Sequence, residues 1–149
     1  MLTMDDDLLP SLLCTALMRV GTRLATGFDQ KFRRFGLTQA QFRVLLAVCD
    51  AGEAGVAPSD LADQLLVERA AVSILTTRMV GQGRLARTPG ENRRTFRLVL
   101  TGAGRAVLDE ALPQAIALAG ETLAGFSREE RQDALAFLRG LEAHLRKEE

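Results

Sequence analysis

Asn92-Arg93-Arg94-Thr95-Phe96-Arg97-Leu98-Val99-Leu100-Thr101-Gly102-Ala103-Gly104 is the stretch on which the fold turns. From Thr95 to Leu100 the residues Phe96, Leu98 and Leu100 alternate with Thr95, Arg97 and Val99. A period of two is that of a half-buried strand. Just upstream, Thr88-Pro89-Gly90-Glu91-Asn92 predicts a turn with Pro-Gly at its centre, and Leu85 to Arg87 a short partner strand. The pair is a hairpin whose tip carries Arg93 and Arg94. Downstream, Thr101 caps a helix running from Gly102 to Gly125, with a kink expected at Pro113.

Working back toward the N-terminus, a helix is expected over Glu68 to Gln82, closed by Gly81 and Gly83. Val72, Leu75 and Met79 form its inner face. Steps of about 100° per residue put Ala70, Ser73, Ile74 and Thr77 on the opposite side, with Arg69 near its start. A solvent-facing helix usually carries Lys and Glu there. A small, hydroxyl-bearing face with an Arg at its end suits insertion into a groove. Before it, Pro58 at a first helical position and Asp60 two residues on open a helix with Leu61, Ala62 and Leu65 facing inward. Ala57 is its N-cap, and Leu66 and Val67 make the turn that follows. Thr38 and Gln41 form a capping box for another helix, with Phe42, Leu45, Leu46 and Cys49 inward, and Asp50 to Gly55 reads as a loop.

Two long helices flank this centre. Leu13, Leu17, Val20, Leu24, Phe28 and Phe32 predict one from about Leu8 to Phe35, with Pro10 in its first turn and Gly36 as its stop. Ser127 and Glu130 open a last helix bearing Leu135, Leu138, Leu141 and Leu145. The fold class is therefore mostly α with a small β-hairpin wing. It is a winged helix-turn-helix over residues 36–101, with N- and C-terminal dimerisation helices over 1–35 and 102–149. The outer helices are too apolar for so small a centre to cover, so they are expected to pack on each other and on a second copy.

The chain has 149 residues, 47% apolar and 26% charged, which excludes a disordered polymer. It has no run of about 18 consecutive apolar residues, so no membrane span is expected. Asp5, Asp6 and Asp7 do not suit a signal peptide. With only Cys14 and Cys49, no disulfide framework is expected, and a reducing, cytoplasmic setting follows. One histidine, His144, stands near the end of the last helix as a surface residue or a helix-end charge. There is no phosphate loop, no Ser/His/Asp set and no metal-ligand cluster, so no enzyme, cofactor or metal is expected. Net charge is zero, yet residues 69–105 hold eight arginines against one acid, Glu91. A local positive field attracts phosphates whatever the total. The competing reading is a solvated, Arg-rich face.

Leu61-Ala62-Asp63-Gln64-Leu65, Ala71-Val72-Ser73, Arg78-Met79, Gly83-Arg84-Leu85-Ala86-Arg87 and the opening stretch together resemble the MarR family of winged-helix transcriptional regulators. The resemblance implies a homodimer that binds a palindromic double-stranded DNA operator, with recognition helices in successive major grooves. The wing arginines would lie in or beside the minor groove, whose narrowing deepens its negative potential. The implied DNA-binding residues are Arg69, Ala70, Ser73, Ile74, Thr77, Arg93 and Arg94. The implied function is a sequence-specific regulator, a repressor released by a small aromatic or phenolic ligand. Helix positions place Arg19, Arg23, Phe42 and Val107 around a ligand cleft. Three departures stand out: Asn92 where the family has Asp to brace the wing by an ion pair, Glu68 where Ser or Thr starts the recognition helix, and Leu66 for a common glycine. Cys14 resembles the reactive cysteine of the organic hydroperoxide branch, which is held there by tyrosine hydroxyls. This chain has no tyrosine, and the alternative is a buried structural thiol, as it is for Cys49. The remaining alternative is a winged-helix protein-interaction module whose arginines meet an acidic partner.

Overall fold

The computed structural model describes residues 4–148, and side-chain exposure from Leu8 onward, so the side chains of Asp5–Asp7 lie outside it. The elements are α1 (Met4–Phe32), α2 (Gln39–Ala51), α3 (Pro58–Leu65), α4 (Arg69–Gly81), β1 (Leu85–Pro89), β2 (Phe96–Leu100), α5 (Gly102–Thr122) and α6 (Arg128–Lys147). Single 3-10 turns occupy Arg33–Phe35 and Gly52–Ala54. The chain divides into two compact units, Met1–Gln114 and Ala115–Glu149. That boundary lies inside α5, one residue past Pro113. The helix itself continues through Pro113.

Capping explains most of the boundaries. Thr38 Oγ1 accepts the Gln41 N–H at 3.1 Å, and Gln41 Oε1 accepts the Thr38 N–H at 3.1 Å. Such a cap is worth about 1 kcal/mol. Asp29 of α1 accepts the Gln39 N–H as well, tying the two helices at the corner. Gly36 stops the 3-10 turn after α1 at φ +66°. Ser127 and Glu130 form the second capping box, at α6. At the end of α4, Gly83 takes φ +76° and donates to the Val80 carbonyl, while Arg84 N–H reaches the Met79 carbonyl. This double closure ends a helix tightly at a left-handed glycine.

Several expectations are corrected. α1 begins one turn earlier, so Pro10 sits in its second turn. α2 buries Val44, Leu45 and Val48 completely, whereas Leu46 and Cys49 are only half-buried. The reason is that α2 packs against α1, α3, α4 and β2, so its buried arc is wider than one stripe. In α4, Val72 and Met79 are buried but Leu75 is half-exposed, and the third buried residue is Thr76. Its hydroxyl donates to the Val72 carbonyl at 2.8 Å, which removes the penalty of burying it. β1 runs on through Thr88 and Pro89, so the turn centre moves from Pro89-Gly90 to the segment 90–95.

The core of the first unit lies between α2, α3, α4 and the hairpin. Phe32 from the end of α1 stacks on Phe42 with ring centroids 4.5 Å apart, both buried. β1 and β2 pair antiparallel from Leu85↔Leu100 to Pro89↔Phe96. A single residue, Val56, adds a third edge by exchanging both backbone hydrogen bonds with Leu98. Gly104 in the first turn of α5 lies against the Arg84 carbonyl, where any Cβ would collide.

Outside this core the apolar surface is uncovered. Leu13, Val20 and Leu24 of the predicted α1 stripe are exposed in a single copy, and so is Cys14. By length and composition, Leu8–Phe35 reaches the level of a membrane-crossing helix, with mean hydropathy 1.2 over its best window. The expectation of no span rested on uninterrupted runs, and this one is interrupted by Arg19 and Arg23. Each arginine near the middle of a span costs about 2.5–3.5 kcal/mol. A protein surface accepts the same helix without that cost. In the second unit, Leu135, Leu138 and Leu145 of α6 are exposed together with Phe137. His144 is exposed, 3.5 Å from Glu148.

Candidate nucleic-acid interface

α3 and α4 meet at a turn set by Leu66, which adopts φ +54° and ψ +47°. This left-handed residue is where the resemblance places a glycine. Its N–H reaches the Asp63 carbonyl, Val67 N–H reaches the Ala62 carbonyl, and Arg43 of α2 donates to the Leu65 carbonyl at 3.0 Å. The last carbonyls of α3 are thereby satisfied and the start of α4 is fixed. Glu68 is the N-cap of α4, and its side chain accepts no capping hydrogen bond.

With Val72, Thr76 and Met79 turned inward, α4 presents Arg69, Ala70, Ser73, Ile74 and Thr77 to solvent. Ile74 is 68% exposed, in an isolated chain with nothing to cover it. The structure thus brings together on one open face all five recognition-helix residues singled out from the sequence.

At the wing tip, Asn92 Oδ1 accepts the Arg94 N–H at 2.9 Å, Thr95 N–H reaches the Asn92 carbonyl, and Gly90 N–H reaches the Thr95 carbonyl. Asn92 therefore shapes the tip through an Asx turn. Glu91 adds a contact to Arg97 at 4.0 Å. The turn leaves Arg93 and Arg94 exposed, and neither forms an ion pair among the described residues.

The eight arginines of residues 69–105 separate by what they touch. Arg84 donates to the Gly36 and Phe35 carbonyls, anchoring the hairpin to the end of α1. Arg97 donates to the Gly55 carbonyl, and Arg105 pairs with Asp109 at 3.2 Å and lies 3.6 Å from Cys49 Sγ. Arg84 and Arg97 thus tie separate backbone segments together. Arg69, Arg78, Arg93 and Arg94 make no side-chain hydrogen bond or ion pair among the described residues. Arg87 is exposed but engaged: it donates to Thr77 Oγ1 at 3.2 Å and lies over the Phe96 ring at 5.0 Å. Arg87 was missed from the sequence, where its strand position gives no sign of reaching α4.

The four residues placed around a ligand cleft lie in different settings. Phe42 is in the core, Val107 is half-buried, and Arg19 and Arg23 are exposed on α1. A cavity of about 450 Å³ lies elsewhere, between the end of α2, the root of the hairpin and the first turn of α5. Its lining includes Val48, Cys49, Thr88, Val99, Leu100 and Arg105, and none of those four.

Residues 35–94, which hold α2 to α4 and the wing tip, match the sequence model of the MarR family. Over these residues the chain is similar to the MarR family. It is similar to an uncharacterized HTH-type transcriptional regulator of Bacillus cereus, 29% identical over 132 residues that cover 89% of this chain and 87% of that one. Among solved structures it is similar to the Mycobacterium tuberculosis regulator MosR in complex with DNA, with 28% identity and a TM-score of 0.70. That match covers 87% of this chain and 96% of that one. The organohalide-sensing regulator RdhR bound to 2,4-dichlorophenol shares the fold at a TM-score of 0.83 and 22% identity, covering 91% and 80% of the two chains. The fold is that of winged-helix MarR structures.

Proposed function

We propose that the protein is a repressor that binds a palindromic operator in duplex DNA as a homodimer, and that a small aromatic or phenolic ligand releases it. The observation that carries this reading is the pairing of the open α4 face (Arg69, Ala70, Ser73, Ile74 and Thr77) with a wing tip whose Arg93 and Arg94 form no ion pair among the described residues. Ser73 and Thr77 then face base edges or nearby phosphates, Ile74 meets a thymine methyl, and Arg69 takes the backbone or a guanine. The tip arginines enter or flank the minor groove. In this reading residues 36–101 bind DNA, and 1–35 with 102–149 hold the two copies together. The MosR relative solved with DNA supports the reading. No catalytic role is proposed.

The test is binding to duplexes selected from a random-sequence pool, measured against salt. Steep salt dependence with strong sequence preference is expected. Arg94→Ala should weaken binding across sequences and lower the salt slope by about 1. Absence of duplex binding at low salt would instead favour a protein-interaction module.

For release, a specific observation favours the cavity beside Arg105 over the cleft around Arg19, Arg23, Phe42 and Val107. Its volume of about 450 Å³ falls in the range of small-molecule sites. Its walls include the hairpin root, so an occupant acts directly on the wing. Arg105→Ala should abolish release by a phenolic acid while leaving DNA affinity intact. If peroxide releases DNA from the wild type but not from Cys14→Ser, control runs through the exposed Cys14 thiol instead.

A further inference from the structure

The reading head, α2 to β2, joins its flanking helices at two corners. One is the α1 exit at Phe35 and Gly36, and the other is the α5 entry at Thr101 to Gly104. Arg84, at the step from α4 into β1, touches both. Its guanidinium donates to the Gly36 carbonyl at 3.0 Å and to the Phe35 carbonyl at 3.2 Å. Its backbone carbonyl accepts the Thr101 N–H at 3.2 Å, and Gly104 packs against that same carbonyl. Its own N–H closes α4 on the Met79 carbonyl at 3.0 Å. Among the described residues, no other hydrogen bond or ion pair joins residues 8–36 to anything beyond α2. A guanidinium fork holds direction as well as distance, and bonds from an ionised donor are stronger than neutral ones.

We propose that Arg84 fixes the angle of the reading head against α1 and α5, and so sets which half-site spacing the dimer accepts. This rests on the proposed binding of a homodimer to a palindromic operator. With the apolar stripe of α1 held against a second copy, each head hangs from its two corners. The stack of Phe32 on Phe42 locates the end of α1 against α2, but leaves the α4 and hairpin side of the head to Arg84. Bonded to both corners, Arg84 keeps them from turning independently. Two heads must meet half-sites about 34–36 Å apart. One added base pair moves the second half-site by about 3.4 Å and turns it by about 34–36° around the duplex. A rigid pair of heads cannot follow that turn, whereas a loosened pair can. Arg84 is thus a positioning residue that acts through the angle of the head and not on DNA.

The experiment compares wild type, Arg84→Leu and Arg84→Lys. Affinities are measured on the operator recovered by selection from a random-sequence pool, on the same operator with one base pair inserted between its halves, and on a single half-site. Circular dichroism and light scattering check that each variant folds and dimerises. If the leucine variant does not fold, the lysine variant carries the test, because it keeps the charge and loses the planar fork. The wild type should lose about tenfold or more on the lengthened operator, as one head lets go. Arg84→Leu should cut that loss to below about threefold, with Arg84→Lys between the two. Half-site affinity and salt slope should stay as in the wild type. If the variants unfold at lower urea but keep the full spacing penalty, Arg84 only stabilises the fold and the proposal is overturned. A salt slope lowered by about 1 would make Arg84 a phosphate contact and overturn it too. A wild type that reads sequence but is indifferent to spacing would overturn the inference alone. A wild type that binds no duplex would overturn the operator reading together with it.

Discussion

At the residue scale the turn between α3 and α4 holds the clearest local conflict. Leu66 is the one non-glycine residue with positive φ among the described residues, and it is 66% exposed. A left-handed conformation costs an L-residue roughly 1–2 kcal/mol, and no burial of its side chain offsets that here. Glycine would remove the strain while costing roughly 0.5–1 kcal/mol in unfolded-chain entropy. Leu66→Gly should therefore raise stability by about 0.5–1 kcal/mol, read as a higher urea midpoint at unchanged slope, and Leu66→Ala should give no gain. The position was visible in the sequence as a departure from a family glycine, but only the backbone angle shows that the turn geometry is kept and the leucine is forced into it. Thr76 is the opposite case. A threonine next to Thr77 of the reading face gives a polar signal, and its burial is legible only once its hydrogen bond to the preceding turn is known.

At the element scale, periodicity located every helix and both strands, and the errors fall where an element has more than one neighbour or an irregular edge. α2 packs on several sides, so a single-stripe reading missed Val44 and Val48. β1 was cut short because Pro89 reads as a turn residue, although a proline is tolerated at the exposed end of a strand. The start of α5 shows how local propensity and packing compete. Replacing glycine by alanine in a helix normally gains about 0.5–1 kcal/mol. Gly104 is different, because an added Cβ would run into the Arg84 carbonyl, which accepts the Thr101 N–H at the root of the wing. Gly104→Ala should therefore destabilise the protein by about 1–3 kcal/mol, measured by denaturant unfolding. It should also weaken DNA binding by displacing the hairpin. A stabilised variant would mean that α5 is free to shift away from the wing.

At the scale of the whole molecule, the apolar stripes of α1 and α6 were legible in the sequence as helices, but what covers them was not, because the cover does not come from the chain that was read. Leu13, Val20 and Leu24 on α1, Leu112 and Ile116 on α5, and Leu135, Phe137, Leu138 and Leu145 on α6 all remain exposed in a single copy. Exposed apolar surface of this kind marks an interaction site, and a palindromic operator requires two reading heads about 34–36 Å apart. Both requirements are met by a second copy of the same chain. Leu138 offers a clean test because it is 45% exposed within one chain, so a charge there does not disturb the core. Leu138→Glu should keep the helical circular dichroism signal while light scattering reports a monomer at micromolar concentration, where the wild type runs as a dimer. Uncoupling the heads removes the advantage of binding two half-sites at once, so operator affinity should fall about a hundredfold or more. Binding to a single half-site, which one copy reads alone, should change little. A wild type that scatters as a monomer at micromolar concentration would contradict this assembly, as would a Leu138→Glu variant that remains dimeric with full operator affinity.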